Sequence, residues 1–132
     1  MAYTAIATTT AGRDGHVDSS DGVLHLDLAP PGSHKGGATN PEQLFAAGYS
    51  ACFGSAIMAV AGAGKIKPEA VHVTAEVSLI INGNDYSLAV KLKPTIDGVD
   101  RTTAEELVHK AHQVCPYSKA TRNNIPVEIE LQ

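Results

Sequence analysis

The sequence has almost no cysteine, no stripe of basic residues, no apolar leader at its start and no charge at all across a long central segment. Each absence narrows the possibilities. A chain of 132 residues buries about two-thirds of the surface it exposes when unfolded, so one core suffices without cross-links or a structural metal. A single domain spanning 1–132 is expected. The ten Lys and Arg are scattered and the net charge is −4, which gives no electrostatic footprint for nucleic acid. The opening MAYTAIATTTAGRDG lacks the basic and then apolar regions of a secretory leader, and a cytoplasmic protein is expected. A lasting structural disulfide is not expected in that compartment. The two cysteines, Cys52 and Cys115, are therefore buried thiols, metal ligands or a redox pair.

The uncharged segment, Leu44 to Ala63, is nominally long enough to cross a bilayer. It is mostly Ala, Gly and Ser, it lacks a basic flank at its start, and no second span accompanies it, so a membrane location is not expected. An uncharged helix that does not span a membrane is expected to be buried on all sides.

No internal repeat or low-complexity tract appears. Tyr3 to Thr10 reads as a strand, Gly12-Arg13-Asp14-Gly15 as a turn, and Val23 to Leu28 as a short strand before Pro30-Pro31-Gly32. Ser33 to Thr39 reads as a loop. Asn40-Pro41-Glu42-Gln43 opens a helix: an Asn cap, Pro at the first helical position, an acid in the first turn and Gln placed to close a capping box. That helix should run to about Gly62. Val71 to Ile81 and Tyr86 to Leu92 alternate around Asn82-Gly83 and predict a hairpin. Thr102 and Thr103, each three residues before a glutamate, predict a helix through Val114, and Pro116 places Cys115 at its end. Val127, Ile129 and Leu131 read as a last strand. The fold class is α+β with mostly antiparallel sheet.

Cys52, on its own, reads as a small core residue. Gly48, Ala51, Cys52, Ser55, Ala59 and Gly62 share one small helical face that admits a close neighbour. A mid-helix thiol gains nothing from a helix N-terminus, so a reactive Cys52 needs a cation, for which Arg13 is the candidate. Cys115 lies in the polar stretch CPYSKATRNNIP. It reads either as a surface-proximal turn cysteine or as a mobile thiol able to swing toward a partner sulfur. His109, His112 and Cys115 form H-x-x-H-x-x-C, but they fan unevenly around a helix and lack a fourth ligand, so no metal is expected. Gly48-Tyr49-Ser50-Ala51-Cys52 lacks the second glycine and the preceding strand of a nucleophile elbow. Gly62-Ala63-Gly64-Lys65-Ile66 lacks the upstream glycine and the following hydroxyl of a phosphate loop.

Three longer stretches, GRDGHVDSSDGVL at 12–24, ATNPEQLFAAGYSACF at 38–53 and HQVCPYSKATRNNIPV at 112–127, resemble the organic hydroperoxide resistance branch of the OsmC-like superfamily. The likeness covers nearly the whole chain. It implies an OsmC-like fold, with mostly antiparallel sheets around central buried helices, in an intertwined homodimer. It also implies a cysteine peroxidase that reduces organic and fatty-acid hydroperoxides in oxidative-stress defence, without metal, haem or other cofactor. By position, Cys52 matches the peroxidatic cysteine, Cys115 the resolving cysteine, Arg13 the thiolate-activating arginine and Glu42 its paired carboxylate. The resemblance further implies reduction of the disulfide by a lipoyl-type dithiol. A redox-sensing or disulfide-exchange protein on the same scaffold is the alternative.

Glu42 and Cys52 are ten residues apart on what reads as one helix, about 15 Å of rise. Either the helix breaks near Gly48, or Glu42 and its arginine serve the thiol of a second subunit. The small helical face favours the second choice. An apolar pocket for bulky peroxides is expected from Phe45, Phe53, Met58 and Tyr117.

Overall fold

The computed structural model describes all residues, Met1–Gln132, and they form two compact units, Met1–Leu44 and Phe45–Gln132. In the first unit, strands β1 (Ala7–Thr10), β2 (His16–Ser19) and β3 (His25–Asp27) make an antiparallel sheet in that order. β1 is exposed along its length. Val17, Leu28 and Ala29 are the buried apolar residues here. A tight turn joins β1 to β2: Ala11 and Gly12 have positive φ, and Gly12–Asp14 make one 3-10 turn. Gly15 closes it. A Cβ there would lie 1.6 Å from the Thr10 carbonyl oxygen, so only glycine fits.

The strand at 16–19 is absent from the sequence reading, because four residues with one buried apolar side chain give no alternation to detect. After β3 the chain passes through the 33–39 loop and returns beside it. Thr39 N–H donates to the Asp27 carbonyl and Ala29 N–H to the Thr39 carbonyl. This pairing fixes where the long helix α1 (Pro41–Ala63) begins. The Asn40 side chain accepts from Gln43 N–H at 2.8 Å and caps α1 as the sequence indicates. Gln43 does not close the box; its carbonyl oxygen accepts from the Thr39 hydroxyl instead.

In the second unit, β4 (Ala70–Asn82) and β5 (Asp85–Asp97) form the predicted hairpin, with Gly83 in the turn at φ 63°. β6 (Val127–Ile129) adds to β5 in parallel, so the sheet is mixed. The hairpin's inner face meets α1 and helix α2 (Arg101–Val114). Tyr49, Phe53, Ile57 and Ala61 of α1, Val90, Leu92 and Ile96 of β5, and Leu107, Val108 and Ala111 of α2 form the core. Asp100 caps α2, accepting from Thr103 N–H at 2.7 Å. Thr102 and Thr103 are thus inside the first turn and do not cap it. A further helix, α3 (Pro116–Thr121), follows at once. Pro116 stops α2 but also starts α3, since proline suits a first helical position.

The expectation that α1 is buried on all sides is corrected. Only one stripe of it, Tyr49, Phe53, Ala56, Ile57 and Ala61, is buried. Ala47, Ala51, Ser55, Met58, Ala59 and Gly62 face outward on the chain, and Met58 is 64% exposed. Absence of charge indicated apolar surroundings, and one chain supplies them on one side only.

Candidate active site

Two pairs of side chains carry the candidate chemistry, one in each unit. In Met1–Leu44 the 3-10 turn at the end of β1 presents Arg13, and the first turn of α1 presents Glu42. The guanidinium donates from both terminal nitrogens to the two carboxylate oxygens, at 3.0 and 2.6 Å. This fork-to-fork geometry fixes orientation as well as charge. Arg13 keeps half of its side-chain surface in solvent, whereas Glu42 keeps little. The bond from Arg13 holds the Glu42 carboxyl below its ordinary value, and the Glu42 carboxylate raises Arg13 further. Glu42 also lies at the positive end of α1, where a carboxylate is favoured.

In Phe45–Gln132 the two cysteines are unpaired thiols that face each other. Cys115 Sγ donates to Cys52 Sγ at 3.3 Å. Cys115 is fully buried, at the joint between α2 and α3. It is therefore not at the surface, contrary to what the polar sequence around it suggested, and its sulfur already faces that of Cys52. Burial pushes the Cys52 thiol up; the backbone N–H of Tyr117 opposes this, and Cys115 adds to it. No cation of Phe45–Gln132 is among the causes.

Gly48 explains why the joint comes so close. It lies one turn before Cys52 on the same side of α1, and a Cβ on it would come 2.6 Å from the Tyr117 hydroxyl oxygen. With no side chain at 48, the Tyr117 ring lies against the helix. The small face read from the sequence thus admits a segment of the same chain at this point.

The polar residues beyond Cys115 are buried because they satisfy one another. Ser118 and Thr121 are 0% and 4% exposed. The Tyr49 hydroxyl lies 2.8 Å from Ser118 Oγ and 3.1 Å from Thr121 Oγ1, and His112 Nδ1 lies 2.8 Å from Ser118 Oγ. Arg122 donates to the His112 carbonyl. No buried side-chain polar atom lacks a partner. Tyr49, His112, Ser118 and Thr121 were not singled out as a group from the sequence. The available signal was Tyr49 itself, because a tyrosine on a buried helical stripe needs a partner for its hydroxyl.

Of the residues expected to line a pocket, Phe45 and Tyr117 come together, with ring centroids 6.1 Å apart, and Tyr49 joins them at 6.3 and 5.5 Å. Phe53 is fully buried in the core, and Met58 stands on the outward face of α1. α1 itself is continuous from Pro41 to Ala63. Of the two alternatives raised by the spacing of Glu42 and Cys52, a break at Gly48 is excluded.

The family described as OsmC-like protein matches residues 32–130. The chain is 50% identical to organic hydroperoxide resistance protein OhrA of Bacillus subtilis, over 98% of this chain and 95% of that one. It is 47% identical to an organic hydroperoxide resistance protein of Xanthomonas axonopodis pv. citri, over 98% and 94%. Among solved structures, it superimposes on an organic hydroperoxide resistance protein from Legionella pneumophila with a TM-score of 0.92, at 51% identity, covering 98% of this chain and 97% of that chain.

Proposed function

The chain belongs to the organic hydroperoxide resistance branch of the OsmC-like family, and from that premise we propose that it is a cysteine peroxidase acting on organic hydroperoxides in peroxide defence. The observation that carries the reading is the pair of thiols 3.3 Å apart. Cys52, as thiolate, attacks the distal oxygen of ROOH; the O–O bond breaks, and RO⁻ takes a proton and leaves as alcohol. Cys52 is left as a sulfenic acid. The Cys115 sulfur then attacks the Cys52 sulfur, water leaves, and a disulfide forms. The sulfurs need approach by only about 1.2 Å to reach a bonded length.

A dithiol of the lipoyl type restores both thiols, its two sulfhydryls supplying two electrons and two protons. Arg13 is the activating cation. Its charge persists at any working pH, and its N–H groups suit a developing alkoxide. Glu42 positions it. Phe45 and Tyr117 offer apolar surface for the substrate, which favours a bulky peroxide over hydrogen peroxide.

The active form on this reading is a homodimer in which Arg13 and Glu42 of one subunit serve Cys52 of the other. Support comes from the unbroken α1, which keeps about 15 Å of rise between Glu42 and Cys52, and from the uncharged outward face of that helix, which a second copy would cover.

Turnover of tert-butyl hydroperoxide with dihydrolipoamide tests the proposal. Cys52→Ser should abolish it, and Cys115→Ser should leave a Cys52 sulfenic acid trapped by dimedone. A redox sensor or disulfide-exchange protein would be oxidised once per chain without turnover, and that result would defeat the peroxidase reading.

A further inference from the structure

A second cluster of reactive side chains lies on the β2–β3 hairpin, apart from the thiols and from the Arg13–Glu42 pair. The register sets His16 opposite Asp27 and Asp18 opposite His25. Residues two apart on a strand share a face, so these four form a square on one side of the hairpin. His16 Nε2 is 3.2 Å from Asp18 Oδ1 and 3.1 Å from His25 Nδ1, and His25 Nδ1 is 2.5 Å from the same Asp18 oxygen. Behind this triangle, Asp27 Oδ1 lies 2.9 Å from His16 Nδ1.

The proton inventory of the cluster is incomplete. Asp27 accepts the Nδ1–H of His16, so a neutral His16 has a bare lone pair at Nε2. With the proton of His25 on Nδ1, that proton is directed at Asp18. The lone pairs of His16 Nε2 and Asp18 Oδ1 then face each other with nothing between them. A cation, or a second proton, belongs at that point.

The geometry points to a divalent transition-metal site with His16 Nε2, His25 Nδ1 and Asp18 Oδ1 as ligands and Asp27 as the group that orients His16. An ion holding three such atoms tetrahedrally at about 2.0 Å keeps them about 3.3 Å apart. Two of the three edges already match. The third opens by about 0.8 Å when the proton shared by His25 and Asp18 is displaced. Two imidazoles and a carboxylate select zinc-like ions over magnesium or calcium, which take oxygen ligands. The Asp27–His16 contact is the carboxylate–histidine arrangement that fixes a ligand's tautomer and direction.

The hairpin holds this shape without the ion. Asp21 Oδ1 accepts from Ser19 Oγ and Val23 N–H, Leu24 N–H donates to Ser19 Oγ, and Gly22 has φ 76°. The ligand side chains are between 31% and 74% exposed. The remaining coordination position therefore opens to solvent, and the ion should exchange.

Calorimetric titration of untagged, metal-free full-length protein with Zn²⁺ tests the inference. One equivalent should bind to the unaltered protein and to the Cys52→Ser/Cys115→Ser double variant. His25→Ala and Asp18→Asn should each lose it while circular dichroism stays native, and Asp27→Asn should weaken it by about 10–100-fold. Zinc binding that survives His25→Ala, or that disappears only when the cysteines are replaced, would overturn the assignment. No binding to the unaltered protein would mean that a proton is the sole occupant, and would overturn it equally.

Discussion

In Phe45–Gln132 the thiol pair is uncharged and largely buried. Cys115 has no exposure, the polar groups around it are spent on one another, and burial pushes the Cys52 thiol toward the form that does not react. In Met1–Leu44 the pair is charged and its arginine is half in solvent, with the guanidinium already oriented by a bidentate carboxylate. On the proposed mechanism the first of these regions supplies the two sulfurs and the second the charge. The enclosure sets the two sulfurs 3.3 Å apart, but the same burial disfavours the thiolate that the proposed mechanism needs first. The arginine turn holds the missing charge on a short loop whose Gly15 admits no side chain. On the proposed mechanism Cys52 draws its reactivity from the ion pair, and removing either side should fail in its own way.

The largest effect should come from the charged side. On the proposed mechanism Arg13→Ala removes both the cation that stabilises the thiolate and a donor to the departing alkoxide, and should slow peroxide reduction by about 100–1,000-fold. The pH profile of Cys52 alkylation should shift upward, because burial is then opposed only by the Tyr117 backbone N–H. An unchanged profile would place the activating charge elsewhere.

A mutation on the enclosed side should separate the two steps. Gly48→Val pushes against the Tyr117 ring and displaces the α2–α3 joint that carries Cys115. Disulfide closure should slow by up to about 100-fold, measured by stopped-flow after a single oxidation. The first oxidation of Cys52 should slow much less.

The smallest effect concerns the polar network of the enclosure. Burial, reinforced by Arg122 and His109, holds the folded His112 below the ordinary histidine value of 6.5. As pH falls through that value the unfolded chain takes up a proton that the folded chain does not, so stability is lost on acidification. His112→Gln should reduce the drop in urea midpoint between about pH 7.5 and pH 5.5. An unchanged drop would mean that the network accepts charge after all.

The sequence showed the elements with strong local signals and missed those set by contact. Asn40-Pro41 marked the start of α1, and Asn82-Gly83 marked the hairpin turn, because caps and turns are short-range chemistry. α3 was hidden because Pro116 reads as a stop. Its serine and threonine also read as surface, until Tyr49 and His112 come from elsewhere to satisfy them. At the candidate site, Arg13, Glu42, Cys52 and Cys115 came from motif resemblance; local physics alone left Cys52 a packing residue. The structure supplies the distances that pair Arg13 with Glu42 and Cys52 with Cys115. The His16, Asp18, His25 and Asp27 square was present as two H-x-D triplets around Asp21-Gly22. Nothing joins those triplets until the register is known.

The most direct test of the claim that the ion pair of one subunit activates the thiol of the other is complementation. Cys52→Ser and Arg13→Ala chains, unfolded together and refolded, form heterodimers that can be isolated with two different affinity tags. If the sites are shared, each heterodimer contains one intact pairing of Cys52 with Arg13. It should then recover about half the unaltered protein's activity per dimer, one site of two. A heterodimer no more active than the Arg13→Ala homodimer would show that each chain activates its own thiol, contradicting the shared arrangement.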